Sequence, residues 1–362
     1  MHFCQLIISS PCINLMNPSG TAQKKWTKEL VQQHAQAAVA VEFYTLPFYI
    51  TATCSIKEEY CEAVEIINSV IAEEMLHLQL AANLCLALDT VPNFKAPQYG
   101  ADIPYIRPYN QETGECSFLN ATLGPLNDAT LDTMLDIETP EQAQLRLAVD
   151  HSRPQYPYHS IGEMYDALII GINQVGVYNF SWDTSYQQCL WGKQNFCQII
   201  DSYSAAQDAV QAIVNQGEGH IFNEDLAPPP WTEKDFPIPP YYRFTRTLDI
   251  QEPHNGYSHF GRFIKIKNKG IPDVYTGTEE PDHPVNKSLQ QNFFQLILML
   301  ETLWRDGGAN VGGKDVLQTI ILGVMQEIFS NTRDCWQAGI TPHWLGLPFV
   351  QLQHKAVHEG RS

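Results

Sequence analysis

The chain has 362 residues, 44% of them hydrophobic and 17% charged, with a formal net charge of −18. That content builds a large core in one or two domains and excludes a disordered tract. The acidic balance argues against a nucleic-acid backbone as partner, which needs clustered Lys and Arg, and no uncharged apolar run of about 18 residues is present to span a membrane.

Residues 1–26 are mildly apolar but lack a basic leader region and a small-residue cleavage site, so they read as a tail and the chain as cytoplasmic rather than secreted. The 9 cysteines are scattered without CxxC spacing, which fits reduced structural thiols. From 28 to 56, Ala35, Ala38, Val39, Glu42, Leu46 and Tyr49 share one helical face, with Pro47 expected to kink it. A second helix, about 59–88, carries the most regular stripe: Ile67, Val70, Ile71, Glu74, His77, Leu78, Ala81, Leu84, Cys85 and Leu88. A carboxylate and an imidazole thus replace core residues one turn apart. Buried charge is costly unless it is paired or holds a metal. Glu73 lies about 100° round the helix and is expected to face away, so that its replacement leaves a metal in place.

Residues 91–160, rich in Pro, Gly, Asn and Thr, hold only a short helix near Leu126–Asp136. A third helix starts near Ile161 and is apolar nearly all round. A fourth, about 205–217, aligns Ala206, Val210, Ile213, Val214, Gly217 and Glu218. A proline-rich strip at 227–242 breaks regular structure, and a short helix follows at Ser258–Lys267. Two amphipathic helices close the chain, Leu289–Trp304 and Val316–Cys335. Their stripes (Phe293, Leu296, Leu300, Trp304 and Leu317, Ile321, Val324, Ile328) suit packing on the bundle or on a second subunit, so a homodimer is one expected assembly. No repeat and no alternating pattern long enough for a sheet is present. The expectation is an all-α protein in three parts: the tail at 1–26, a metal-binding helical domain at 27–270 with long irregular loops, and a C-terminal helical extension at 271–362.

The chemistry rests on a count. A carboxylate-bridged dinuclear iron or manganese centre in a helical bundle needs four carboxylates and two imidazoles on facing helices. The inward candidates are Glu42, Glu74, His77, Glu163, Glu218 and His259. Each has a plainer reading. Glu42 could be a hydrogen-bonded core acid, Glu163 sits in a first helical turn where it favours the macrodipole, and Glu218 lies between glycines at a chain reversal. His34, two turns before Glu42, is a candidate outer partner. No GxSxG, P-loop or GxGxxG fingerprint appears, which removes the common hydrolase, NTPase and dinucleotide readings.

Six segments then stand in a familiar order: VEFYTLPFY (41–49), EEMLHLQLAAN (73–83), IETPE (137–141), SIGEMYDALIIGI (160–172), NQGEG (215–219) and SHFGRF (258–263). Together they resemble the ferritin-like domain family of the iminophenyl-pyruvate dimer synthase type, over roughly residues 30–270. The resemblance implies a ferritin-like four-helix bundle and makes the same six residues the metal ligands. It also implies two iron ions (or manganese), dioxygen as co-substrate, and oxidation or oxidative coupling of a small aromatic or amino-acid-derived biosynthetic intermediate. Glu74, His77 and Tyr44 are the expected catalytic residues, with Tyr165 and Trp182 as candidate pocket walls or electron relays. Two departures stand out. Gly256 occupies the place three before the last histidine where the family often has an acid, which leaves the final carboxylate open between Glu218 and Glu252. Phe43 follows Glu42 where a polar residue is usual, which implies a drier pocket on that side. A metal protein without oxidase activity and a metal-free helical scaffold remain as alternatives.

Overall fold

Four of the helices start where the sequence supplies a side-chain acceptor. Thr27, Asn127, Ser160 and Ser258 each accept a hydrogen bond from the backbone amide three residues on, satisfying a donor that a helix N-terminus leaves open. A computed structural model of the chain describes residues 25–100, 121–139, 158–190, 198–217 and 258–345, with positions 106, 109–110, 115–116 and 119. Its helices are α1 (Lys28–Cys54), α2 (Glu62–Ala87), α3 (Asp128–Ile137), α4 (Ile161–Val175), α5 (Tyr203–Gly217), α6 (His259–Lys269), α7 (Pro284–Asp306) and α8 (Lys314–Gln337). Each lies within a few residues of its predicted place, and α1 runs on through Pro47 as one helix. Beyond them the described strands are a two-residue antiparallel pair, Tyr109–Asn110 with Glu115–Cys116. The proline-rich strip at 227–242 lies outside the described residues.

Packing closes a ring: α1 lies on α2, α2 on α5, α5 on α4, and α4 on α1. This is a four-helix bundle. The shorter α6 packs on α2, α3 and α5, so the fourth side of the ring is shared between α5 and α6. Burial explains the apolar character of the central pair. Windows of α1 and α2 long and apolar enough to cross a membrane are 94% and 89% buried inside the protein, as core helices of a bundle are. Gly171 on α4 lets Trp26 close one end: a β-carbon there would stand 2.5 Å from the Trp26 ring.

The C-terminal pair α7 and α8 packs on the bundle. All eight stripe residues, Phe293 to Trp304 and Leu317 to Ile328, are buried, and they share one continuous core with α1 and α2. Polar ties reinforce this. Trp336 Nε1 donates to the Thr51 carbonyl, Trp344 Nε1 to the Thr51 hydroxyl, and Arg333 to the Ile56 carbonyl. Phe43 stacks on Phe293 at 5.7 Å and meets Phe94 edge-on. It therefore serves the seam with the extension. Cysteine usage also departs from expectation. Cys54, Cys61, Cys85 and Cys335 are free thiols, but Cys189 is disulfide-bonded.

His34 is fully buried, with Nδ1–H donating to the Leu30 carbonyl at 2.6 Å and the Tyr158 hydroxyl donating to Nε2 at 2.8 Å. It belongs to this helix–loop contact. Both bonds suit the neutral ring, and burial pushes its pKa from 6.5 down to about 4. Between those values the unfolded chain binds the extra proton, so stability falls as the pH is lowered from 6.5 to 4. The loss through this one group is about 3 kcal/mol at its fullest. Urea unfolding of wild type and His34→Gln across this range should show a shallower acid limb in the variant; parallel limbs would contradict it.

Candidate metal centre

Four buried carboxylates and two buried imidazoles meet between α1, α2, α3, α5 and α6. Glu42 comes from α1, Glu74 and His77 from α2, Glu138 from the C-cap of α3, and His259 from the first position of α6; Glu73 stands behind them on α2. One donor atom each from Glu74, His77 and His259 lies within 4.8 Å of the other two. The histidine rings stack at 5.3 Å between centroids.

Both imidazoles present the same atom inward. His77 Nδ1 is 3.7 Å from Glu42 Oε2 and 3.8 Å from Glu74 Oε1. His259 Nδ1 is 2.8 Å from Glu74 Oε1 and 3.4 Å from Glu138 Oε2. The outer nitrogens are engaged elsewhere, His77 Nε2 with Gln216 Oε1 at 2.8 Å and His259 Nε2 with Glu73 Oε2 at 2.9 Å. An amide oxygen and an ion-paired carboxylate only accept, so both Nε2 atoms carry the proton and donate. In the neutral form, the one that can ligate a cation, each ring turns an Nδ1 lone pair toward the carboxylates. Although close to Glu74, His259 Nδ1 has no partner in hydrogen-bond geometry.

The carboxylates are held from behind in the same way. Tyr165 Oη donates to Glu42 Oε1 at 2.7 Å and Tyr49 Oη to Glu138 Oε1 at 2.6 Å. The Thr45 hydroxyl lies 2.8 Å from Glu74 Oε2 and 2.8 Å from the Glu42 carbonyl oxygen. Glu73 is fixed at both oxygens, its Oε1 accepting from Arg262 at 2.9 Å, and Arg262 also donates to Ser69. The result, among the described residues, is an excess of buried anions over one permanent cation, Arg262. Burial and the nearby Glu138 charge push Glu74 up to about 7. Burial works against the protonated imidazoles, but Glu42 and Glu74 around His77 outweigh it. Glu138, Glu73 and Glu74 do the same for His259, so both pKa values rise. Burial would raise Glu73 too, but Arg262 and His259 hold it down at about 2. Protons thus collect where cations would neutralise the same charge. Oxygen and imidazole donors in this number suit iron, manganese or zinc.

Of the six residues singled out in the sequence, Glu42, Glu74, His77 and His259 meet. Glu163 is buried at the start of α4 with Oε2 accepting from the His159 amide at 2.6 Å, while its own amide donates to Ser160. One of its oxygens therefore serves the start of the helix. Glu218 and Glu252 lie outside the described residues. Tyr44 is buried with its ring 4.8 Å from Tyr99, and with Val41, Thr45, Ile137 and Ile161 it lines a small apolar cavity beside Glu42. Trp182 is remote: its amide donates to Ala87, ten residues or about 15 Å of helix beyond His77, and its indole to Val177. That distance removes it from the pocket walls.

Sequence reading missed three contributors. Glu138 falls in register with the buried Leu131, Met134 and Leu135, the same helical stripe signal that marked Glu74, but the count of inward donors passes over it. Gly217 on α5 lies against it, a β-carbon there standing 3.4 Å from Glu138 Oε2. Glu73 was expected to face away, yet it holds His259. The reason is that α6 approaches α2 on that flank, which no periodicity along α2 reveals. Gln216 is an ordinary glutamine until α5 brings it to His77.

A family model described as Ferritin-like matches residues 35–267. Among solved structures, the chain is similar to a ferritin-like protein from Caulobacter vibrioides, determined at 1.95 Å resolution, with 25% identity and a TM-score of 0.63 over 88% of this chain and 99% of that one. No curated protein matches.

Proposed function

Since this chain belongs to the ferritin-like family, we propose that its buried cluster holds two iron ions, with manganese the alternative, and that the protein is a dioxygen-using oxidoreductase of a small organic molecule. The observation that carries the reading is the pair of Nδ1 atoms turned onto shared carboxylates while both Nε2 atoms are held from outside. That is how ligating histidines are ordinarily oriented. Bound iron would supply redox chemistry with dioxygen as the co-substrate. Glu42, Glu74, Glu138, His77 and His259 would hold it, and Glu163 has a second oxygen with which to join them.

The chain's own groups have definable tasks. Glu74 reaches both imidazoles and so would help to hold both ions. Tyr165 and Tyr49 orient the terminal carboxylates and offer each a proton at Oη. The cavity lined by Val41, Tyr44, Ile137 and Ile161 keeps one flank apolar and dry. Tyr44 forms its wall, which is the role proposed for it near the reacting centre. The finer likeness to the iminophenyl-pyruvate dimer synthase type supports an aromatic or amino-acid-derived substrate. The test is anaerobic loading with ferrous iron, metal analysis, and then oxygen uptake with and without aromatic amino-acid-derived imines. Iron bound near two equivalents with substrate-dependent uptake is the expected result. Iron without uptake would leave a metal protein that is not an oxidase, and under half an equivalent would remove the metal reading.

A further inference from the structure

The two halves of the cluster are built from the same parts but backed differently. On one side stand Glu42, backed by Tyr165, and His77; on the other stand Glu138, backed by Tyr49, and His259; Glu74 is common to both. The difference lies behind the rings. His259 donates to a carboxylate, and Glu73 is itself pinned by Arg262, which Ser69 holds in turn. His77 donates to the neutral Gln216, whose side-chain nitrogen is buried without a hydrogen-bond partner among the described residues.

A carboxylate accepting from an imidazole makes the ring a stronger donor and fixes its plane. An amide does the first far less. An amide anchored through one atom also leaves its ring more freedom. From the contrast between Glu73 and Gln216 the geometry points to unequal metal positions: the one at His259 fills first and most tightly, and the one at His77 fills second and exchanges more readily. Glu73 and Gln216 are thus positioning residues that set an order of loading. This inference rests on the reading of the cluster as a two-metal site.

Cobalt(II) is the probe, titrated anaerobically into the metal-free full-length protein with visible absorption and a competing chelator as readouts. Wild type should bind two equivalents in two resolved steps. Glu73→Gln should weaken the first step by about 10–100-fold and leave the second in place. Gln216→Leu should weaken only the second, which keeps the test open should Glu73→Gln fold poorly because it deprives Arg262 of its partner. His77→Ala should retain the tight step and His259→Ala should lose it. Two equivalents entering in one unresolved step, or Glu73→Gln sparing the tight step, would overturn the ranking while leaving the two-metal site intact. Absence of cobalt binding to wild type would remove the metal site itself.

Discussion

Replacing Glu74 by alanine is expected to strip bound metal from the protein, lowering affinity at both positions by well over the factor of about 10–100 that attends loss of an outer partner. Among the described residues Glu74 is the one carboxylate within 4 Å of both inward Nδ1 atoms, so its loss damages both halves at once, whereas loss of Glu42 or Glu138 removes a donor from one. The metal-free variant should nonetheless be folded. Burial and Glu138 already oppose ionisation of Glu74, and removing one member of an over-anionic cluster relieves repulsion. The sign can be checked by pH. A carboxyl group raised from 4.5 to about 7 in the folded state binds a proton there that the unfolded chain releases, so its contribution declines as the pH rises through that window. In the absence of metal, unfolding of Glu74→Ala should fall less steeply than that of wild type between those values. Metal analysis of the purified variant, with urea unfolding of the metal-free form, checks both halves. Wild-type metal content in Glu74→Ala would refute the assignment.

Trp304→Ala should be the most destabilising single change in the C-terminal extension, at about 3–5 kcal/mol. Trp304 is fully buried on α7 with its ring 5.4 Å from Phe94, and its Nε1 donates to Asn83 Oδ1 on α2 at 2.9 Å. Asn83 also clamps the 181–190 segment, accepting from the Gln188 amide and donating to the Gln188 carbonyl. Gln188 reaches back to the Leu303 carbonyl on α7. The indole is therefore both a large buried volume and a polar tie between bundle, loop and extension. Trp304→Phe keeps most of the volume and gives up the tie, and because Asn83 Oδ1 retains the Gln188 amide the cost should be nearer 1 kcal/mol. Equilibrium denaturation of both variants separates the two terms. A loss below 1 kcal/mol for Trp304→Ala would mean that the extension is a loosely attached appendage.

Helices and most of the inward donors were legible in the chain because each is encoded locally. Periodicity placed all eight described helices, and a polar residue interrupting an apolar stripe marked Glu42, Glu74 and His77. The same rule reaches Glu138, whose stripe is only ten residues long and followed by Pro140. That brevity hid it.

What the sequence determined by itself is the ladder of amphipathic helices, their caps, and the identity of the residues that must be buried in spite of their charge, since spacing along one helix decides which face a side chain occupies. What the tertiary structure alone decided is who stands behind whom. Glu73 became the support of His259 and not an outward acid, Gln216 found His77, Phe43 turned to the extension, and the stripes of α7 and α8 were spent on this chain's own bundle. Those are contacts between distant segments; Phe43 and Phe293, for one, lie 250 residues apart. They depend on how the helices are set against one another, a quantity that no local pattern carries.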